Sequence, residues 1–288
     1  MSDTEPKAVS EKSPFAGCAI LIAAVLVMVF LIGFSVSVLF RQFKEIAKFT
    51  GTKPAVIETV DIADREAELN RLAEKIEAFR QEMAGDGSAA LELSVEEINL
   101  AIAAYGDFKD LRGMMRVTEI TPEAMLMEIS FRLNGKPRLS KPGEGGWITS
   151  DPRFLNGTII AEPGLLKREV VLQIKDIEVK DAEVAKEFIA QMSPYRIAER
   201  YVDDGGIGAV MSKLTTVGLK EGKVVFERKA GEIAKDTVTN EQVDVASKRL
   251  FTFLGIAASV FLVFVAILLF VGLRLKSKNG GHSSPDES

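Results

Sequence analysis

The feature that most constrains this chain is an unbroken apolar run from Phe15 to Phe40, FAGCAILIAAVLVMVFLIGFSVSVLF, with no charged residue in it. Such a run exceeds the roughly 20 helical residues that cross the hydrocarbon core of a bilayer. A second apolar run, Leu250 to Leu273, lies between Arg249 and Arg274. In lipid a chain must satisfy its own backbone, so both runs are expected to be transmembrane helices. Everything else has to fold between them or beyond their ends. Ser35-Val36-Ser37 offers the small residues of a signal-peptide cleavage site, but Val38, Leu39 and Phe40 carry the apolar run past it. An uncleaved anchor is therefore the expectation.

Basic residues near the spans pull in two directions. Lys7 and Lys12 precede the first span, and Arg41, Lys44, Lys48 and Lys53 follow it. Lys248 and Arg249 precede the second, and Arg274, Lys276 and Lys278 follow. Two spans place both termini on one side. Long loops translocate largely regardless of charge, so this bias leaves the side of the central region open.

Composition removes several chemistries. The net charge is -5, with no concentrated basic face, so nucleic acid is not an expected partner. Cys18 is the sole cysteine and sits in the first apolar run, which excludes an internal disulfide. His282, the sole histidine, lies in the polar tail. The central region thus has neither His nor Cys for a nucleophile–base pair or a zinc site, and no cofactor motif is present. Carboxylates remain. Asp107 and Asp110 are near neighbours in sequence, as are Asp203 and Asp204. They would serve as an acid/base or cation-binding pair only if they converged in space. The alternative is solvated turn residues, and the chain is expected not to be an enzyme.

The organisation along the chain follows from periodicity. Residues 1–14 and 274–288 read as disordered tails, 15–40 and 250–273 as the spans, and 231–249 as a linker. Residues 56–85 read as an amphipathic or coiled-coil helix, in which Ile62, Leu69, Leu72, Ile76, Phe79 and Met83 form an a/d seam. That seam either joins protomers or lies on its own domain. Residues 89–230 read as an α+β domain. Ser94-Val95-Glu96-Glu97 is a capping box that opens a helix to about Tyr105. A strand over 125–133 pairs with 114–120 across Thr121–Ala124 and ends at Asn134-Gly135. Residues 134–153 read as a loop. A second strand pair spans 155–161 and 169–179, with Pro163-Gly164 in its turn and a bulge near Lys175-Asp176. Helices are expected over 182–192, 194–202 and 207–214, then a hairpin of 216–220 and 223–228 about Glu221-Gly222. The fold class is α+β: two transmembrane helices bracket a curved antiparallel sheet with packed helices.

The candidate ligand contacts are apolar. Met125, Met127, Ile129 and Phe131 alternate on one face of the strand, and methionine suits surfaces that accept varied apolar partners. The alternative is ordinary core packing. Trp147, the sole tryptophan, and Phe154 could stand at a pocket lip or at the lipid interface, or be pinned to the sheet. Asn156-Gly157-Thr158 is a formal glycosylation sequon.

Three stretches carry a resemblance: Leu93-Ser94-Val95-Glu96-Glu97-Ile98-Asn99, Phe154-Leu155-Asn156-Gly157, and Val217 to Val225. Together they resemble a layout of uncharacterised bacterial membrane-anchored envelope proteins. More distantly, the order is similar to small envelope proteins of tubular lipid-binding-like fold. The resemblance spans about Leu91 to Arg228 and names no catalytic residue. It implies an envelope location, a central domain on the outer side and cytoplasmic termini. The expected role is binding of an apolar or lipid ligand, or of a protein partner, at the membrane surface. The other expectation is a scaffold or complex subunit assembled through the 62–83 helix and the spans. Expected partners are membrane lipids and a homo-oligomer or membrane-complex partner.

Overall fold

The structure is a computed structural model that describes residues 14–237; the second apolar run at 250–273 lies outside the described residues. The chain divides into two units, with the boundary between Arg41 and Gln42. Helix α1 (Pro14–Phe49) contains the first apolar run and is long and apolar enough to cross a membrane. Its large side chains, among them Leu21, Met28, Phe30 and Ile32, are exposed, as suits a helix solvated by lipid tails.

The second unit is mixed α+β and is built on a curved antiparallel half-barrel. One sheet has the order β2-β3-β4-β5-β6, from β2 (Met115–Ile120), β3 (Met125–Leu139), β4 (Ile148–Leu166), β5 (Glu169–Val179) and β6 (Ala182–Glu183). The other has the order β1-β8-β7, from β1 (Ala89–Leu93), β7 (Thr216–Lys220) and β8 (Lys223–Arg228). Short connections and period-2 alternation favour such hairpins over crossovers. The odd-numbered face of β3 and β4 supplies Met125, Met127, Ile129, Leu155 and Ile159 to one core. Phe49 at the end of α1 and Phe79 and Met83 from α2 (Glu66–Ala84) also belong to that core.

The seam on α2 is occupied within the chain. Leu72, Phe79 and Met83 are buried, and Leu72 packs with Leu100 and Ala101 of α3 (Val95–Ala104). Of the two readings of the heptad pattern, the helix lying on its own domain is the one observed. The helix starts at Glu66 rather than at residue 56, which leaves Ile62 outside it. Lys213 and Arg228 donate to the Met83 carbonyl, at 2.7 and 3.0 Å, and satisfy the helix end as cations suit the negative pole of the dipole.

The capping box on α3 is present with both reciprocal bonds. The bulge on β5 is also present: pairing skips Lys175, from Ile160↔Asp176 to Ala161↔Ile174. Four expectations change. The 134–153 loop is mostly strand, because β3 and β4 keep pairing through Pro137↔Ser150 and Leu139↔Ile148 past an irregularity after Asn134. That extension buries only Gly135, which has no side chain, and so carries no hydrophobic alternation. Pro163-Gly164 lies inside β4 and not in a turn. Leu172 directs its N–H and C=O to Tyr195, so the opposed Pro163 breaks no bond to β5. The turn is Lys167-Arg168, both at positive φ. The helix expected over 194–202 is replaced by an extended segment bridged at Tyr195 to β5, then a 3-10 turn at Glu199–Tyr201. The helices expected over 182–192 and 207–214 shorten to α4 (Lys186–Met192) and α5 (Ile207–Met211).

Candidate functional site

The six apolar candidates do not converge. Met125, Met127 and Ile129 are buried core residues, and Phe131 packs at the core margin, where its ring stacks on Tyr195 at 6.2 Å. Their face of β3 is filled by the protein itself and offers no open groove. Phe154 lies on the other face, and Trp147 stands free at 91% exposure, so it is not pinned to the sheet. Two surface pockets, of about 460 and 340 Å³, are lined by Phe49 with the 181–185 segment and by residues 58–65 with Arg116. Neither contains any of the six.

Two of the acidic candidates, Asp110 and Asp204, have their carboxylates engaged with separate partners. Asp110 pairs with Arg200. The Asp107 carbonyl accepts from the Tyr201 hydroxyl. The Asp204 carboxylate accepts from the N–H groups of Gly206 and Ile207, at 2.8 and 2.7 Å. Among the described residues no group of three or more His, Cys, Asp or Glu side chains is placed to hold a metal ion.

What the fold does build is a clamp between the C-terminal turn of α1 and the sheet. Phe49 enters the core and meets Phe188 with ring centroids 4.9 Å apart. The chain then runs across the outer face of β3 and β4 as a strap. Gly51 and Phe154 exchange two backbone hydrogen bonds, of 2.8 and 2.9 Å. Arg153 donates to the Thr50 hydroxyl at 2.9 Å, to the Ala47 carbonyl at 2.8 Å and to the Thr50 carbonyl. Thr50 in turn donates to the Ile46 carbonyl at 2.7 Å. Of the last carbonyls of the helix, Ala47 is thus satisfied by a guanidinium, the charge that a helix C-terminus favours, and Ile46 by the Thr50 hydroxyl.

Asn156 completes the clamp. Its amide nitrogen donates to the Lys53 carbonyl at 3.0 Å, and its amide oxygen accepts from Ala55 N–H at 3.0 Å and from the Ser130 hydroxyl at 2.8 Å. Ser130 faces away from the core yet is 2% exposed, because the strap covers it. The sequon asparagine therefore has both ends of its amide engaged. Asn156 stood out in the sequence only as a formal sequon and as part of the Leu-Asn-Gly element; nothing linked it, Arg153 or Ser130 to the strap.

Beyond the clamp, β3 and β4 continue as a projecting arm. Arg138 forks onto Glu144, with both contacts at 2.8 Å, and also donates to Asp151 at 2.9 Å. The Lys141 N–H donates to Glu144 at 2.7 Å. The Arg138 contact holds the Glu144 carboxyl down at about 2, against an ordinary value of 4.5. A lowered carboxylate stabilises the fork fully above its ordinary value, and the contribution is lost as pH falls toward 2. An NMR titration of the Glu144 carboxyl is expected to show a midpoint near that value; a midpoint at 4.5 would mean the fork is open in solution. At the end of the arm Leu139 and Ile148 are cross-strand partners, 79% and 70% exposed, beside Trp147.

Comparison with protein-family models, with curated proteins and with solved structures found no match.

Proposed function

We propose that this protein is a membrane-anchored binding module whose domain works at the membrane surface and presents its β3–β4 arm to a lipid or protein partner. The observation that carries this reading is the clamp. An apolar helix is joined to the sheet through Phe49, Arg153 and Asn156 within a few residues of its end, with no long flexible tether. A domain joined to the helix end without a long linker stays near the bilayer by connectivity, which favours a partner in or on the membrane over one captured at a distance. The filled face of β3 shifts the binding surface from an internal apolar groove to the exposed arm. The envelope location, the outward domain and the cytoplasmic termini belong to the same proposal and rest on the resemblance.

The test is fractionation of the full-length protein followed by proteolysis of intact cells. Retention in carbonate-washed membranes, with the domain cut by external protease, is the expected result. Recovery in the soluble fraction would sink the reading. The clamp has its own test. Arg153→Ala removes charge-assisted bonds to three acceptors and is expected to cost about 1–3 kcal/mol. Amide exchange at Gly51 and Ala55 in the full chain should rise about 10-fold or more while Met127 and Ile129 stay protected. Unchanged exchange at Gly51 would show that Arg153 does not hold the strap.

A further inference from the structure

We infer that the tip of the β3–β4 arm, Leu139, Trp147 and Ile148, seats in the headgroup region of the bilayer that the chain's own anchor helix crosses; this rests on the membrane-anchored reading above. These three large apolar side chains are 79%, 91% and 70% exposed, next to one another on a hairpin end. A preformed apolar tip in water needs an occupant.

Connectivity favours lipid. Arg153, at the base of the arm, donates to Ala47 in the last turn of α1. Trp147 lies six residues before Arg153, about 20 Å at strand rise. The apolar run proposed to cross the bilayer ends a few residues before Ala47 in the chain, so a bilayer is the surface the chain itself keeps at hand.

Chemistry favours lipid as well. Tryptophan concentrates at membrane interfaces, where its ring is solvated by apolar chains and its N–H by polar groups. Residues 134–153 carry Lys136, Arg138, Lys141 and Arg153 against Glu144 and Asp151, a net +2 on a chain of net -5. A locally basic arm on an acidic protein suits anionic headgroups. The arm is also ordered in advance: Arg138 ties Glu144 and Asp151, and Ser140 N–H donates to the Trp147 carbonyl at 3.1 Å. Seating it costs little conformational entropy. A second copy is the weaker occupant, because three side chains fall far short of the roughly 800 Å² per partner of a stable interface. A bilayer held at hand by the anchor needs no such area.

Trp147 is the only tryptophan, so its emission reports this tip alone. The experiment uses the full chain reconstituted in phosphatidylcholine–phosphatidylglycerol vesicles, with and without lipids brominated near the headgroup, and with iodide in the aqueous phase. The expected result is at least about two-fold quenching by shallow bromolipids, little quenching by iodide, and weaker lipid quenching when phosphatidylglycerol is left out. Full iodide quenching with no bromolipid effect, in protein that floats with the vesicles, would overturn the inference and leave the anchored reading standing. Protection from both quenchers would also overturn it, placing the tip against protein. Protein that fails to float with the vesicles would remove the anchored reading and the inference with it.

Discussion

Replacing Asn99 by alanine is expected to lower the stability of the domain by about 2–5 kcal/mol, because it strands two buried backbone groups at once. Asn99 is buried on α3, donates to the Val117 carbonyl at 2.7 Å and accepts from the Val117 N–H at 2.9 Å. Val117 lies in β2, the edge strand of its sheet, and its own side chain is 1% exposed. An edge strand offers a row of unpaired N–H and C=O groups, and here the helix covers them with one amide that has both a donor and an acceptor. Alanine leaves both Val117 groups without partner or water. Aspartate, nearly the same shape, is no rescue: it turns a second acceptor toward the Val117 carbonyl and adds a buried charge. For a unit of this size the loss corresponds to a fall in Tm of about 5–15 °C. Calorimetry of the full-length protein checks it. An Asn99→Asp variant as stable as wild type would show that the amide nitrogen does not make the bond to Val117.

The same residue illustrates what the sequence could and could not reveal. The helix start at Ser94, the alternation over Met125–Leu133 and the bulge near Lys175 were legible because each is local: a cap, a period and a phase slip written in consecutive residues. The helical seam at Leu72, Phe79 and Met83 was legible as apolar, but not as facing the chain's own domain, since a heptad pattern is satisfied by either partner. β1 escaped because five residues running straight into a cap have no room to show a period. The arm beyond Asn134 escaped for the opposite reason: it buries no side chain, only Gly135, so its residues need not alternate. The clamp was legible least of all. Arg153 and Thr50 stand 103 positions apart, and no spacing rule connects a strand arginine to the end of a helix that far upstream. The methionine face was read as a candidate ligand surface with core packing as the alternative, and only the packing of Met127 and Ile129 distinguishes the two.

Gly157→Ala is expected to do comparable damage by adding atoms instead of removing bonds. A Cβ at this position would stand 2.2 Å from the Glu178 carbonyl oxygen and 3.2 Å from a methyl of Val179. Glu178 is backbone of the neighbouring strand β5, paired there with Thr158, so it cannot turn aside as a flexible side chain would. The strands must separate, and the cost is expected at or above the top of the roughly 1–3 kcal/mol range for overpacking. The consequence extends to the strap because Gly157 follows Asn156, whose amide holds Lys53 and Ala55. Moving β4 to clear Glu178 moves that amide. Asn156→Ala and Gly157→Ala should therefore be distinguishable by hydrogen exchange on the full chain. The first is expected to free Ala55 while Ile129 and Ile177 keep their protection. The second is expected to loosen the β4–β5 pairing and the strap together. If Gly157→Ala melted with wild type and left Ala55 protected, the close approach of β5 would not be what this position requires glycine for, and the Asn-Gly pair would be two independent features. If both regions open together, the residue that lets β5 approach and the residue that holds the strap act through one displacement of β4. Substitutions in the sheet that shift β4 would then be transmitted to the C-terminal end of α1.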